Sequence, residues 1–213
     1  MSDPRKKPHR GASTDPIGGP VDSGTPTSEA GVKSRILLAI VVPILILDWI
    51  TKAWALSERA GIPGPIGEML GGLMPLTLAY NKGAAFGLSI GEDSRWFFIP
   101  VTFLALGLIA MLYRQAESDD RVRLVSLALV VAGALGNLWD RVRWDRGVVD
   151  FLGPVDLIVY DFPIFNVADI AISIGAILLA ISFWQEERRL ARENAGEDVT
   201  ADDPAFTGDR ATP

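Results

Sequence analysis

The sequence predicts an all-α polytopic membrane protein: four transmembrane helices, a small extracytoplasmic cradle of strands and loops, and disordered termini. Three observations predict it. Four apolar runs, at 36–56, 96–113, 124–141 and 163–184, are each long enough to cross a bilayer as a helix. Mean hydropathy is +0.27 although the ends are polar and charged. The two long connections, 58–94 and 142–162, are too polar to span, and Gly and Pro punctuate the first of them.

Each segment follows from its composition. Residues 1–33 are rich in Pro, Gly, Ser, Thr and charge, which predicts a disordered tail. Arg5, Lys6, Lys7 and Arg10 suit either solvent or anionic headgroups. The membrane domain is set at 34–188, and 189–213 is read as a second disordered tail. Pro43 and Pro100 lie inside the first and second spans, which membrane helices tolerate. Ala132 and Gly136 form a small-xxx-small pair on the third span, permitting close helix packing. Leu76 to Tyr80 alternates weakly and predicts a short strand. Val148 to Leu152 fits either a short strand or an interfacial segment.

Composition removes several chemistries. There is no Cys, so no thiolate nucleophile or Cys-ligated metal. The single His, His9, lies in the N-terminal tail, which removes a His base, a Ser-His-Asp triad and a His-ligated metal. No metal, cofactor or nucleic-acid partner is expected. The net charge of -6 reflects acids concentrated in the tails, such as Asp198, Asp202, Asp203 and Asp209.

The polar residues of the spans carry the functional signal. Gly133-Ala-Leu-Gly-Asn-Leu-Trp-Asp-Arg141 ends the third span and puts Asn137, Asp140 and Arg141 on one helix face. Alone, Asp140 reads equally as a charge that snorkels to the headgroups. About 29 residues later, Phe165-Asn-Val-Ala-Asp169 repeats the Asn-x-x-Asp spacing at the start of the fourth span. Asp48 and Lys52 form an i, i+4 pair in the first span, either a structural ion pair or a support for a polar site. Basic residues flank the spans asymmetrically and place both termini in the cytoplasm, with the two long connections outside. From the helical rise, Asp140 lies roughly 25 Å from the inner end of its span, Asp48 roughly 18 Å up the first, and Asp169 roughly 9 Å below the outer end of the fourth. All three then meet near the outer surface. Two carboxyls held together share a proton, and one activates a water while the other donates a hydrogen bond. Intramembrane Asp residues also mark transport pathways, but midplane carboxylates and an inverted repeat are not evident here. A purely structural role fits poorly with two Asn-x-x-Asp faces at one depth.

At these residues the chain resembles lipoprotein signal peptidase, the signal peptidase II or aspartic peptidase family A8. The resembling segments are Asp48-Trp-Ile-Thr-Lys52, Asn81-Lys-Gly-Ala-Ala-Phe-Gly87, Gly133 to Arg141, Val149-Asp-Phe151 and Phe165 to Asp169, in that order across 36–185. Trp49, Trp139 and Ile170 depart from the residues usual there. The resemblance implies that Asp140 and Asp169 are the catalytic pair. It implies that Asp48, Lys52, Asn81, Gly83, Asn137, Arg141, Asn166 and Ala168 shape or support the site. It further implies an inner-membrane endopeptidase that cuts prolipoproteins before the diacylglyceryl-modified cysteine and is blocked by globomycin. Membrane lipid is the other expected partner. The lipid chains of such a substrate stay in the bilayer, so a sideways-opening groove is expected. The 58–94 connection is expected to cover the peptide, with Gly83 and Phe86 beside Asn81.

Overall fold

The structure is a computed structural model, and it describes residues 26–83, 94–156 and 161–201. Four helices are long and apolar enough to cross a membrane. They are α1 (Pro26–Glu58), α2 (Arg95–Gln115), α3 (Arg121–Arg143) and α4 (Val167–Ala201). Between α1 and α2 lie β1 (Gly64–Met69), a 3-10 turn (Leu70–Gly72) and β2 (Met74–Asn81). Between α3 and α4 lie β3 (Val148–Leu152), β4 (Val155–Asp156) and β5 (Asp161–Phe162).

Helix α3 is the axis of the bundle. Half of its most apolar window is buried, whereas 6% is buried for α2. The reason is its small residues. Water does not drive helices together inside a bilayer, so close backbone approach and packing must do so. A Cβ on Gly133 would strike the carbonyl oxygen of Ala168, and one on Gly175 would lie 2.7 Å from the carbonyl oxygen of Ser126. Helices α3 and α4 therefore touch backbone to backbone. Asp120 starts α3 by accepting the Arg123 N–H at 3.0 Å, as an N-cap does. Away from the sheet, Val41, Tyr113, Leu124, Leu127 and Ala128 form one packed cluster. Tyr113 donates to the Lys33 carbonyl there at 2.7 Å, tying α1 to α2.

At the other end, strands β1, β2 and β3 form an antiparallel sheet in that order. Asn81 pairs with Val148, Tyr80 with Val149 and Ala79 with Asp150. Strand β3 is thus a true strand, which the sequence left open, and β2 extends the expected Leu76–Tyr80 run. Leu78, Val149 and Phe151 pack under the sheet with Ala55 of α1. Each such burial is worth about 1.5–3 kcal/mol where the alternative is water.

Three sequence-based boundaries are corrected. Helix α1 begins at Pro26, so residues 26–33, read as disordered tail, are helical. Helix α4 continues to Ala201, through residues also read as tail. The fourth helix begins at Val167 rather than near 163, because Phe165 is engaged elsewhere. Its N–H donates to the Leu152 carbonyl and its carbonyl accepts from Leu152, both at 2.9 Å. Asp169 therefore lies in the first helical turn, roughly 3 Å from the start rather than 9.

Candidate active site

The site is built around the N-terminus of α4, whose first N–H groups have no partners inside the helix. Asn166 precedes the helix. Its side-chain oxygen accepts the Asp169 N–H at 3.0 Å, and the Asp169 carboxylate accepts the Asn166 N–H at 3.1 Å. This reciprocal pair is a capping box in Asn-x-x-Asp form. It fixes the Asp169 side chain at the positive end of the helix dipole, which favours a carboxylate. Asp48 of α1 satisfies the next orphan by accepting the Ala168 N–H at 3.0 Å. Ala168 is fully buried, and the Cβ that Gly136 lacks would lie 3.2 Å from the Ala168 methyl and 2.7 Å from the Asp48 carboxylate. Small residues at 136 and 168 thus let three helices converge on one carboxylate.

Lys52 lies at the centre of that convergence. Its ammonium contacts Asp48 at 2.8 Å and Asp140 at 2.9 Å, and it donates to the Asn137 side-chain oxygen at 3.2 Å. Asp48, Lys52 and Asp140 are all buried. The same Asp140 oxygen that meets Lys52 also accepts the Val149 N–H, at 3.2 Å. The structure therefore gives Asp140 partners other than the Asp169 pairing read from the sequence: a cation and a strand amide. Its carboxylate joins α1, α3 and β3.

The carboxylate electrostatically coupled to Asp169 is Asp150, on β3. Burial and the neighbouring Asp169 charge push the Asp150 carboxyl up to about 7, against hydrogen bonds from Asn166 and Asn81 and the charge of Lys52. Asn166 bridges the two acids. Its side-chain amide donates to Asp150 at 2.6 Å, and its backbone donates to Asp169 at 3.1 Å. Asn137 completes the frame by donating to Asp169 at 2.7 Å while accepting from Asn166 at 3.0 Å. Asp169 is half-buried and Asp150 is fully buried. Asp150 lies in the Val149-Asp-Phe151 segment but is not among the site residues the sequence predicts. The available signal was an acid inside an otherwise apolar strand, Val148 to Leu152.

The rim is backbone-tight. Gly147 has φ +95 and would place a Cβ 2.5 Å from the Asn81 carbonyl oxygen, so only Gly lets the α3–β3 turn meet β2 here. Gly83 has φ +113, its N–H donates to the Asn81 side chain at 2.8 Å, and a Cβ would strike the Phe98 ring. The Lys82 carbonyl accepts from the Ser94 hydroxyl, joining β2 to α2. Arg141 lies over the Phe98 ring at 5.3 Å, and its charge is attracted to Asp169, Asp150 and Asp140. Phe86 lies outside the described residues. Of the residues singled out from sequence, Asp48, Lys52, Asn137, Asp140, Asn166, Ala168 and Asp169 converge directly, and Asn81, Gly83 and Arg141 border them. A buried carboxyl raised toward its neutral form, and a second carboxylate on the same amide bridge, are equipped to activate a water and polarise a carbonyl.

Comparison with known proteins bears on this geometry. The family model described as signal peptidase (SPase) II matches residues 40–185. A protein named lipoprotein signal peptidase from Geobacter sulfurreducens is 42% identical over 158 residues, 74% of this chain and 96% of that one. A like-named protein of Maridesulfovibrio salexigens is 39% identical over 153 residues, 70% of this chain and 94% of its own. One from Streptococcus pyogenes serotype M6 is 36% identical, covering 73% and 97%. A solved bacterial membrane enzyme, determined by the in meso method at 2.3 Å resolution, superposes with a TM-score of 0.61 at 32% identity, covering 74% of this chain and 90% of that one.

Proposed function

The chain belongs to the signal peptidase II family of aspartic peptidases, and from that premise we propose that it removes signal peptides from lipoproteins with Asp150 and Asp169 as the catalytic pair. The peptide bond cut is the one before the diacylglyceryl-modified cysteine. The observation that carries this choice is Asn166, which donates to Asp150 at 2.6 Å and to Asp169 at 3.1 Å and so holds both acids at one point.

Asp150 holds the shared proton, because burial and the adjacent charge favour its neutral form to about pH 7. Asp169 faces the partly open side and takes a proton from water as the water attacks the scissile carbonyl carbon. Asp150 donates its hydrogen bond to the carbonyl oxygen as that oxygen gains charge. Collapse of the tetrahedral species breaks the C–N bond, and the proton held by Asp169 passes to the leaving amine. Asn137 orients the base, and Arg141 offsets the negative charge of the pair. Asp48, Lys52 and Asp140 hold the helices that carry these groups. The basic flanks of the spans put the sheet end outward and both termini in the cytoplasm.

The test is cleavage of a diacylglyceryl-modified prolipoprotein by the purified protein in detergent, with globomycin as the inhibited control. Asp150→Asn and Asp169→Asn are each expected to lose about 10³-fold or more in kcat while the protein stays folded. Asp140→Asn is expected to lose stability first. Near-normal turnover by Asp150→Asn, with a folded but inactive Asp140→Asn, overturns the choice and restores the Asp140 pairing. An unlipidated prolipoprotein is expected to be the poorer substrate by kcat/KM, and equality of the two would remove the role given to the lipid.

A further inference from the structure

A cavity lies against the Lys52 cluster and is lined by neither acid of the proposed peptidase pair. It has a volume of about 430 Å³ and runs between α1 and α3. Its walls include Trp49, Ala53, Leu56, Leu135 and Trp139, and the Asp48–Lys52–Asp140 cluster forms its floor. Asp150, Asp169, Asn166 and Asn137 do not line it. Gly136, on its wall, lies against Asp48 and Ala168. The cavity is therefore separate from the place where a scissile bond would lie.

Its shape and chemistry suit a lipid. Along α1 it extends from Leu45 to Leu56, roughly 16 Å at the helical rise, parallel to the direction of an acyl chain. Both walls are membrane-spanning helices, and Trp49 and Trp139 are exposed on the chain's surface. The sheet-end mouth is formed by Arg143 and Trp144. Arg143 stacks on the Trp144 indole at 4.8 Å, and Arg146 stacks on the same indole at 4.5 Å. Among the described residues no carboxylate lies within ion-pair distance of either guanidinium. Two cations on one ring repel each other, and an anion between them relieves that repulsion. Guanidinium groups match phosphate oxygens in pairs. Tyr80 holds Arg146 in place, its hydroxyl accepting from the guanidinium at 3.0 Å.

We propose that this cavity binds one glycerophospholipid with an anionic headgroup, its phosphate at Arg143 and Arg146 and one acyl chain along α1. The lipid is a resident of the protein and not its substrate. Through the floor it braces Asp140, which holds the Val149 N–H next to Asp150.

The experiment is lipid titration of the delipidated full-length protein in detergent, read by native mass spectrometry. The probes are phosphatidylglycerol and phosphatidylcholine of equal chain length. Phosphatidylglycerol is expected to bind one to one and about tenfold or more tighter. Bromine-labelled chains are expected to quench tryptophan emission in the wild type, and Trp49→Phe/Trp139→Phe is expected to lose most of that quenching. Arg143→Ala/Arg146→Ala is expected to lose the headgroup preference, with Arg143→Lys/Arg146→Lys retaining part of it. Ala53→Phe fills the groove from the membrane side and is expected to weaken binding of both lipids. Equal affinity for the two lipids in the wild type overturns the proposal. So does an unchanged preference in the double Ala variant, or unchanged binding in Ala53→Phe. None of these readouts depends on proteolysis.

Discussion

Two carboxylate clusters lie at the sheet end of the bundle, and they differ in what holds their acids. In the first, Asp48 and Asp140 share one ammonium at 2.8 and 2.9 Å, and all three groups are buried. In the second, Asp150 and Asp169 share Asn166, Asn137 donates to Asp169 as well, and Asp169 is half-buried. A cation at contact distance ties an acid into an ion pair and favours its charged form. An amide orients an acid without settling its charge. Two acids hydrogen-bonded by amides, with no cation in contact, are suited to keep one proton between them if they act as the proposed pair.

That contrast can be broken from either side. The largest expected effect is the loss of turnover in Asp150→Asn and Asp169→Asn, without loss of fold. The next is opposite in kind. Lys52→Met leaves two buried carboxylates without their cation and is expected to cost about 3–5 kcal/mol of stability. Thermal unfolding in detergent checks it, and a Tm equal to that of wild type would show that the cluster is not a brace. Lys52→Met/Asp140→Asn should recover part of the loss, since fewer charges are then unpaired.

Substitution of Gly83 tests the rim. Gly83→Val puts a β-branched side chain at φ +113 against Phe98. It should reduce kcat/KM by about tenfold or more through displacement of Asn81, with a smaller change in Tm. Equal losses in activity and folded yield would make Gly83 structural only.

The pH dependence sharpens the comparison further. The Asp150 carboxyl is raised from 3.8 to about 7. If its proton is needed, kcat/KM holds below that value and falls as pH rises through it. Asn81 lowers the Asp150 value through a hydrogen bond. Asn81→Ala should therefore move the alkaline limb upward, and a downward shift would contradict the assignment. Stability follows the same sign. The unfolded chain gives up this proton near 3.8 and the folded chain near 7, so stability falls as pH rises between them. Asp150→Asn should flatten that slope. The smallest effect is expected from trimming to residues 26–201, which should leave turnover within about twofold because every group substituted above lies between those bounds.

Much of the fold was legible because membrane insertion is a local property. About 20 apolar residues in a row suffice, whatever the rest of the chain does. The four helices followed from such runs, the β2 strand from its alternation, and the cluster of polar groups from the residues that interrupt the runs. Asp48 and Lys52 were legible as a pair because i and i+4 meet on any helix. The Asn-x-x-Asp spacing was seen, but its two instances have different meanings. At 166–169 it is a capping box that places a carboxylate at a helix start. At 137–140 it lies inside the last turns of α3, where both side chains meet Lys52 but only Asn137 goes on to Asp169.

Which acid stands with Asp169 was decided only by tertiary structure. Asp140 and Asp150 are ten residues apart and chemically identical. Gly147 lets the chain turn sharply enough to pair β3 with β2. That pairing carries Asp150 to Asn166, while the rotation of α3 against α1 delivers Asp140 to Lys52. Helical and strand periods say which way each side chain leaves its own element. The distance between elements depends on how closely backbones approach, and here that approach is set by missing side chains at Gly133, Gly136 and Gly147. An absent atom leaves no hydrophobic or charge pattern in a sequence, so the partner of each carboxylate emerged only when the elements were packed.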